Sequence, residues 1–212
     1  MTIRDFRLPW ILTCLSLLFL LSSLGNASPQ GAFTNTGLTV YPNPDNQDWS
    51  LGFEFSVSSP VTVTALGYNY FGVPLNLSHD VGIYTSGGTL VTSATVTNAS
   101  TVFDGYLYTS VTPTVLGAGD YIIAGTTLGL NDGWIYQASS VVGAPGLAYV
   151  TSWFTPGNGG MLSFPTSNAS DRQYMEVNFL TPSTSIPEPG TLLFLGTGLL
   201  GAVGVMRRKI NL

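Results

Sequence analysis

The chain has 212 residues, 44% of them hydrophobic and 8% charged, with a formal charge of −5. That length fits one domain plus targeting segments. A single cysteine and a single histidine exclude a disulfide framework and speak against a zinc or other transition-metal site.

At the front, Arg4 and Arg7 precede an apolar stretch from Trp10 to Leu21, and Gly25-Asn26-Ala27 supplies small residues for cleavage. Residues 1–27 therefore read as a secretory signal peptide cut after Ala27. A retained N-terminal anchor fits less well, because the stretch is short and the cleavage residues are present. Cys14 lies inside this segment, too deep in the apolar stretch for a lipoprotein signal, so the mature chain has no thiol. Between residues 28 and 189 ten acids face Arg172 alone, a formal −9. Such a field repels nucleic acid and anionic lipid, and it tolerates divalent cations.

Residues 28–48 are rich in Asn, Pro, Gly and Thr and read as an irregular lead-in, with one short strand near Leu38 to Tyr41. Trp49, Leu51, Phe53, Phe55 and Val57 then alternate with Ser50, Gly52, Glu54 and Ser56, which is the pattern of a half-buried strand. Val61, Val63 and Ala65 resume the alternation after the turn Ser58-Ser59-Pro60. Further strands are predicted over 80–85, 89–96, 106–111, 121–126, 134–137, 147–154 and 173–180. Gly87-Gly88, Asn98 to Thr101, Leu116 to Gly119 and Asn131-Asp132-Gly133 supply turns. With no helical periodicity in this span, the fold class is all-β. Residues 49–180 are expected to form an antiparallel β-sandwich of jelly-roll type. Residues 181–189 read as a short polar linker.

Three segments carry a resemblance: Phe55 to Gly67, His79 to Val91, and Gly119 to Gly125. They are similar to a DUF4082-like domain of exported bacterial β-sandwich proteins. The resemblance implies a fold and supplies no activity.

Catalytic residues are hard to place. No Gly-x-Ser-x-Gly elbow accompanies His79, whose preferred reading is a strand-edge residue beside Asp80. A carboxylate pair for glycoside hydrolysis could come from Asp104, Asp120 and Glu176, but spacing in sequence does not test their separation. Binding has more support. Asp45 and Asp48, with Asn43 and Asn46, pack oxygen ligands closely enough to hold Ca²⁺, although Asx-turns beside Pro42 and Pro44 are the preferred reading. No other cofactor is expected. Tyr68 with Tyr70, Tyr106 with Tyr108, and Tyr149 with Trp153 each share a strand face at period 2, where core is the commoner role. Trp134, next to Asn131-Asp132-Gly133, is the aromatic expected to be exposed and to stack on a carbohydrate.

The chain ends in Pro187-Glu188-Pro189, an uncharged run from Thr191 to Met206, and Arg207-Arg208-Lys209. Sixteen helical residues reach roughly 24 Å, so residues 190–212 can span a bilayer if the three cations snorkel and the membrane thins locally. Those cations stay cytoplasmic under the positive-inside rule. A buried C-terminal core helix fits less well, since this run has no polar face. The two prolines hold Ile186 to Pro189 extended just outside the span.

Motif, apolar run and basic end together resemble the PEP-CTERM sorting signal. That resemblance implies recognition of Pro187, Glu188 and Pro189 by an exosortase in a Gram-negative, usually polysaccharide-exporting bacterium. The expected function is a non-catalytic surface or matrix protein associated with exported polysaccharide. The alternatives are a hydrolase acting on that polysaccharide and a structural surface protein without a ligand.

Overall fold

The alternation that begins at Trp49 becomes the central strand of the molecule. The computed structural model describes residues 28–41, 47–127, 132–157 and 159–182, together with Gly198. Among the described residues, β1 (Pro29–Gly31), β2 (Phe33–Thr36) and β3 (Thr39–Tyr41) come first. The long strands β4 (Trp49–Val57) and β5 (Val61–Asn69) follow, then the hairpin of β6 (His79–Thr85) and β7 (Leu90–Val96). Next are β8 (Thr101–Phe103), β9 (Tyr106–Leu116), β10 (Gly119–Thr127), β11 (Trp134–Gln137) and β12 (Ser140–Gly143). The last are β13 (Leu147–Pro156), β14 (Ser167–Ala169) and β15 (Val177–Pro182).

Two antiparallel sheets carry the structure. One has the order β1-β15-β5-β9-β8 and the other β14-β13-β4-β10-β6-β7, with small pairs β11-β3 and β12-β2 beside them. Phe53 and Phe55 of one sheet meet Leu66, Tyr68 and Phe179 of the other in a single buried core. Residues 29–182 make one compact unit. The all-β expectation holds among the described residues, and no helix there is long and apolar enough to cross a membrane.

β4 pairs with β10 on one side and β13 on the other, so it is interior to its sheet. Its second face is also largely covered, which the half-buried pattern did not anticipate. Ser50 is fully buried and its Oγ accepts the Ser163 N–H at 3.0 Å. Phe164 sits edge-on to Tyr84, ring centres 5.5 Å apart, so residues 159–165 lie over this outer face. Gly52 has no room for a side chain, because a Cβ there would collide with the Ile123 carbonyl on β10.

The irregular lead-in of residues 28–48 is corrected. β1 pairs with β15 and β2 with β12, and Phe33 is 1% exposed at the centre of the core. These strands are three or four residues long and their partners lie more than 100 residues later in sequence. Alternation over so few residues carries no signal of its own. The unit accordingly runs 29–182, wider than the predicted 49–180.

A second correction concerns Tyr149 and Trp153. The register of β13 on β4 slips between Tyr149 and Thr151, a β-bulge that adds Val150 to the strand. Residues on either side of a bulge change face. Tyr149 therefore packs on Phe53 in the core, while Trp153 Nε1 donates to Glu54 Oε2 at 2.9 Å on the opposite face.

Candidate functional site

The same bulge sets up a cleft. Past it, Phe154 lies opposite Leu51, and its ring meets Trp49 edge-on at 6.0 Å. Trp134 on β11 and Tyr174 ahead of β15 complete the aromatic wall, with Trp134 and Tyr174 5.4 Å apart at 62°. Leu51, Trp134, Ala169 and Tyr174 form a buried cluster separate from the main core. The first two apolar positions of β4 thus serve the cleft, and the next three serve the core. The cleft encloses about 310 Å³, at the small end for a ligand pocket.

Its polar lip comes from Asn168 on β14 and from the turn after it. The Arg172 N–H closes that turn on the Ala169 carbonyl. Gln173 N–H donates to the Tyr136 carbonyl and its Oε1 accepts the Ala138 N–H, which fastens the segment to β11. The Tyr174 N–H donates to the buried Ser152 Oγ at 2.8 Å.

Arg172, the only Lys or Arg between positions 28 and 189, is thereby placed on the lip. Its guanidinium lies 5.0 Å from the centre of the Tyr136 ring, a cation–π distance. Nη1 donates to Tyr174 Oη at 3.4 Å, and Nε lies 3.6 Å from Asp171 Oδ2. Burial raises the Tyr174 phenol pKa, and the Arg172 hydrogen bond and charge pull it part of the way back. The Asp171 side chain is 75% exposed, so its pairing with Arg172 contributes little to stability. Aromatic faces beside such a lip can stack on sugar CH groups while the lip groups bond hydroxyls.

Trp134 is brought to this cleft, but the expectation that it is exposed is corrected. It is 7% exposed, because the Ala169 to Tyr174 segment packs over β11. Trp49 and Phe154 are the more open rings of the wall. Asp48 is partly buried, and its carbonyl accepts the Gly157 N–H. Asp45 lies outside the described residues. No group of three or more His, Cys, Asp or Glu stands ready for a metal among the described residues. Ala27, Pro187, Glu188, Pro189, Arg207, Arg208 and Lys209 also lie outside them.

His79 does open a strand beside Asp80, but it is not exposed there. β6 lies between β10 and β7, and the imidazole is fully buried and stacked on Tyr68 at 3.8 Å and 5°. Its Nδ1 donates to the Thr126 carbonyl at 2.6 Å, and Nε2 lies 3.1 Å from Asp132 Oδ2. Asp132 also accepts the backbone N–H groups of Asn76 and Leu77 at 3.0–3.1 Å. Burial alone would raise the Asp132 pKa, but the hydrogen bonds from His79, Asn76 and Leu77 outweigh it and the net shift is downward. Its stabilisation is therefore present above the ordinary carboxylate pKa and lost as pH falls through the lowered one. Asp132→Ala leaves these donors without their acceptor and is expected to cost about 2 kcal/mol, read as a lower urea midpoint.

In class, the molecule is an all-β protein of two stacked antiparallel sheets with an aromatic cleft. Residues 185–209 match the PEP-CTERM protein-sorting motif. That motif marks an exported, cell-surface protein processed by an exosortase, and it covers the tail alone. No curated protein and no solved structure matches the chain.

Proposed function

We propose that this is a non-catalytic surface or matrix protein whose exported domain holds extracellular polysaccharide in the aromatic cleft. The observation that carries the reading is the cleft itself, where Trp49, Phe154 and Tyr174 stand beside Asn168, Asp171 and Arg172. Glycoside hydrolysis needs two carboxyl groups facing one bond. Among the lining residues only Asp171 has a carboxyl group, and His79, fully buried, cannot meet a substrate. Both facts favour binding over catalysis. In this reading the sandwich winds as a jelly roll with the DUF4082-like kinship described above.

Processing belongs to the same proposal. The signal peptide ends at Ala27, and the tail crosses the inner membrane with Arg207, Arg208 and Lys209 on the cytoplasmic side. The exosortase then reads Pro187-Glu188-Pro189 and releases the domain. Intact-mass measurement on protein from an exosortase-bearing host is expected to show a start at Ser28 and loss of Leu192 to Leu212. A mature chain that keeps the whole tail would overturn the processing scheme. The processed protein is expected to co-sediment saturably with the host's polysaccharide without release of reducing sugar. Sugar release would make it a hydrolase, and no co-sedimentation would leave a structural protein.

A further inference from the structure

The charges at the cleft point to the kind of sugar, and this inference rests on the cleft being a sugar site. We propose that the cleft selects an uncharged hexopyranose with two adjacent free hydroxyls, and rejects polyanionic chains.

Two independent observations lead there. The first is local. Arg172 offers five N–H donors, of which Nε is turned to Asp171 and Nη1 to Tyr174. Its Cζ sits over the Tyr136 ring. The two N–H groups on Nη2 have no partner among the described residues, so they remain for a ligand. Beside them, Asp171 presents its exposed carboxylate, and Asn168 has committed its Nδ2 to Thr151 while its Oδ1 stays an acceptor. Donor and acceptor thus stand side by side on one lip. A hydroxyl group both donates and accepts, so two neighbouring hydroxyls can use the Arg172 edge and the Asp171 oxygens together. A uronate carboxylate cannot, because it only accepts. What it gains from Arg172 it loses to Asp171 at a similar distance in the same solvent.

The second observation is global. The lip carries one charge of each sign, and the remaining acids between 28 and 189 have no Lys or Arg among them. Each further acidic sugar of a polymer would meet that unopposed field, reaching over a Debye length of about 8 Å at physiological salt. A neutral polymer feels none of it. Its ring can stack on Trp49 or Phe154, the more open aromatics of the wall.

The test uses the full-length protein in a polyoxyethylene detergent, since sugar-headed detergents would compete. Of the four tryptophans Trp49 and Trp134 line the cleft, and Trp49→Phe verifies that the fluorescence change comes from there. The probes are gluco-, galacto- and manno-oligosaccharides, oligogalacturonate, and glucosamine oligomers of matched length, each at low and high salt. At least one neutral oligomer is expected to saturate, with a Kd that changes less than about twofold with salt. Oligogalacturonate is expected to bind at least about tenfold more weakly at low salt and to recover part of that loss at high salt. Arg172→Gln, at a partly buried position, and Asp171→Asn, at an exposed one, are each expected to weaken neutral binding about tenfold. Tighter binding of oligogalacturonate or of glucosamine oligomers than of every neutral probe would overturn the selectivity and leave the sugar site standing. Silence from all of the probes would overturn the sugar site itself.

Discussion

Glu176→Gln is expected to make the protein more stable than the native chain above pH 8, by a few kcal/mol, and no more stable at pH 4.5. Glu176 is fully buried, and neither carboxyl oxygen has a hydrogen-bond partner among the described residues. Burial pushes its pKa from 4.5 up to about 8. The backbone N–H groups of Glu176 itself and Ile135 pull it down only in part. Below pH 4.5 the carboxyl is neutral in both folded and unfolded chains and costs nothing extra. Between 4.5 and about 8 the unfolded chain ionises while the folded one holds its proton, so stability falls as pH rises. Each pH unit of that window contributes at most about 1.4 kcal/mol.

Glutamine imitates the protonated acid and cannot ionise, which removes the slope. The readout is the difference between the two urea midpoints at each pH, in which other groups titrating in the window cancel. The lowered pKa of Asp132 acts on the acid side of that window, and the raised phenols of Tyr68, Tyr106 and Tyr108 act above pH 10. A difference that stays flat from pH 5 to pH 8 would mean that water or local opening reaches Glu176.

Local patterns were legible where a segment carries its own signal. β4 and β5 alternate apolar with polar or small residues, β10, β11 and β13 are short runs bounded by turns, and each lies within a few residues of its predicted span. The sorting motif was legible for the same reason, being contiguous in sequence. The turn between β8 and β9 had a signal that was passed over. Asp104 and Gly105 have φ of 47° and 78°, the left-handed pair of a two-residue hairpin, and Asp-Gly is its sequence mark.

The cleft was not legible as a site. Its wall and lip come from positions 49, 134, 154, 168 and 171–174, which only the sheet order brings together. Trp134 was found through the turn beside it, yet its burial depends on Ala169 and Tyr174, far along the chain. Arg172 stood out as the lone Lys or Arg of the span, but nothing near it in sequence says that its guanidinium sits over the Tyr136 ring. The bulge at Val150 has no composition signal either, and without it Tyr149 and Trp153 would share a face. A one-residue change of register reverses every later side chain of a strand, which is why alternation alone misassigned that pair.

The lead-in is where sequence and structure differ most, and it carries a large expected effect. Phe33→Ala is expected to cost about 3–5 kcal/mol, a fifth or more of the stability of a typical domain. The ring is packed edge-on against Phe53 at 5.0 Å, Phe55 at 5.7 Å and Phe179 at 6.0 Å, so it joins the two large sheets at their centre. Its backbone is held as firmly. The Phe33 N–H donates to Asn178 Oδ1 at 3.2 Å, and Asn178 Nδ2 donates to the Phe33 carbonyl at 2.8 Å, both buried. Ala32 bonds Phe179 through its N–H and Ala144 through its carbonyl, both at 2.8 Å. With the backbone fixed on three sides, the chain cannot close the space that the ring leaves, which puts the loss toward the upper end of the range. Thr34→Ala, one residue on and exposed, is the control, with an expected change within about 0.5 kcal/mol. Guanidinium unfolding of the two variants separates the cases. If Phe33→Ala leaves the midpoint where Thr34→Ala does, residues 28–48 are a lead-in after all and the core closes without them.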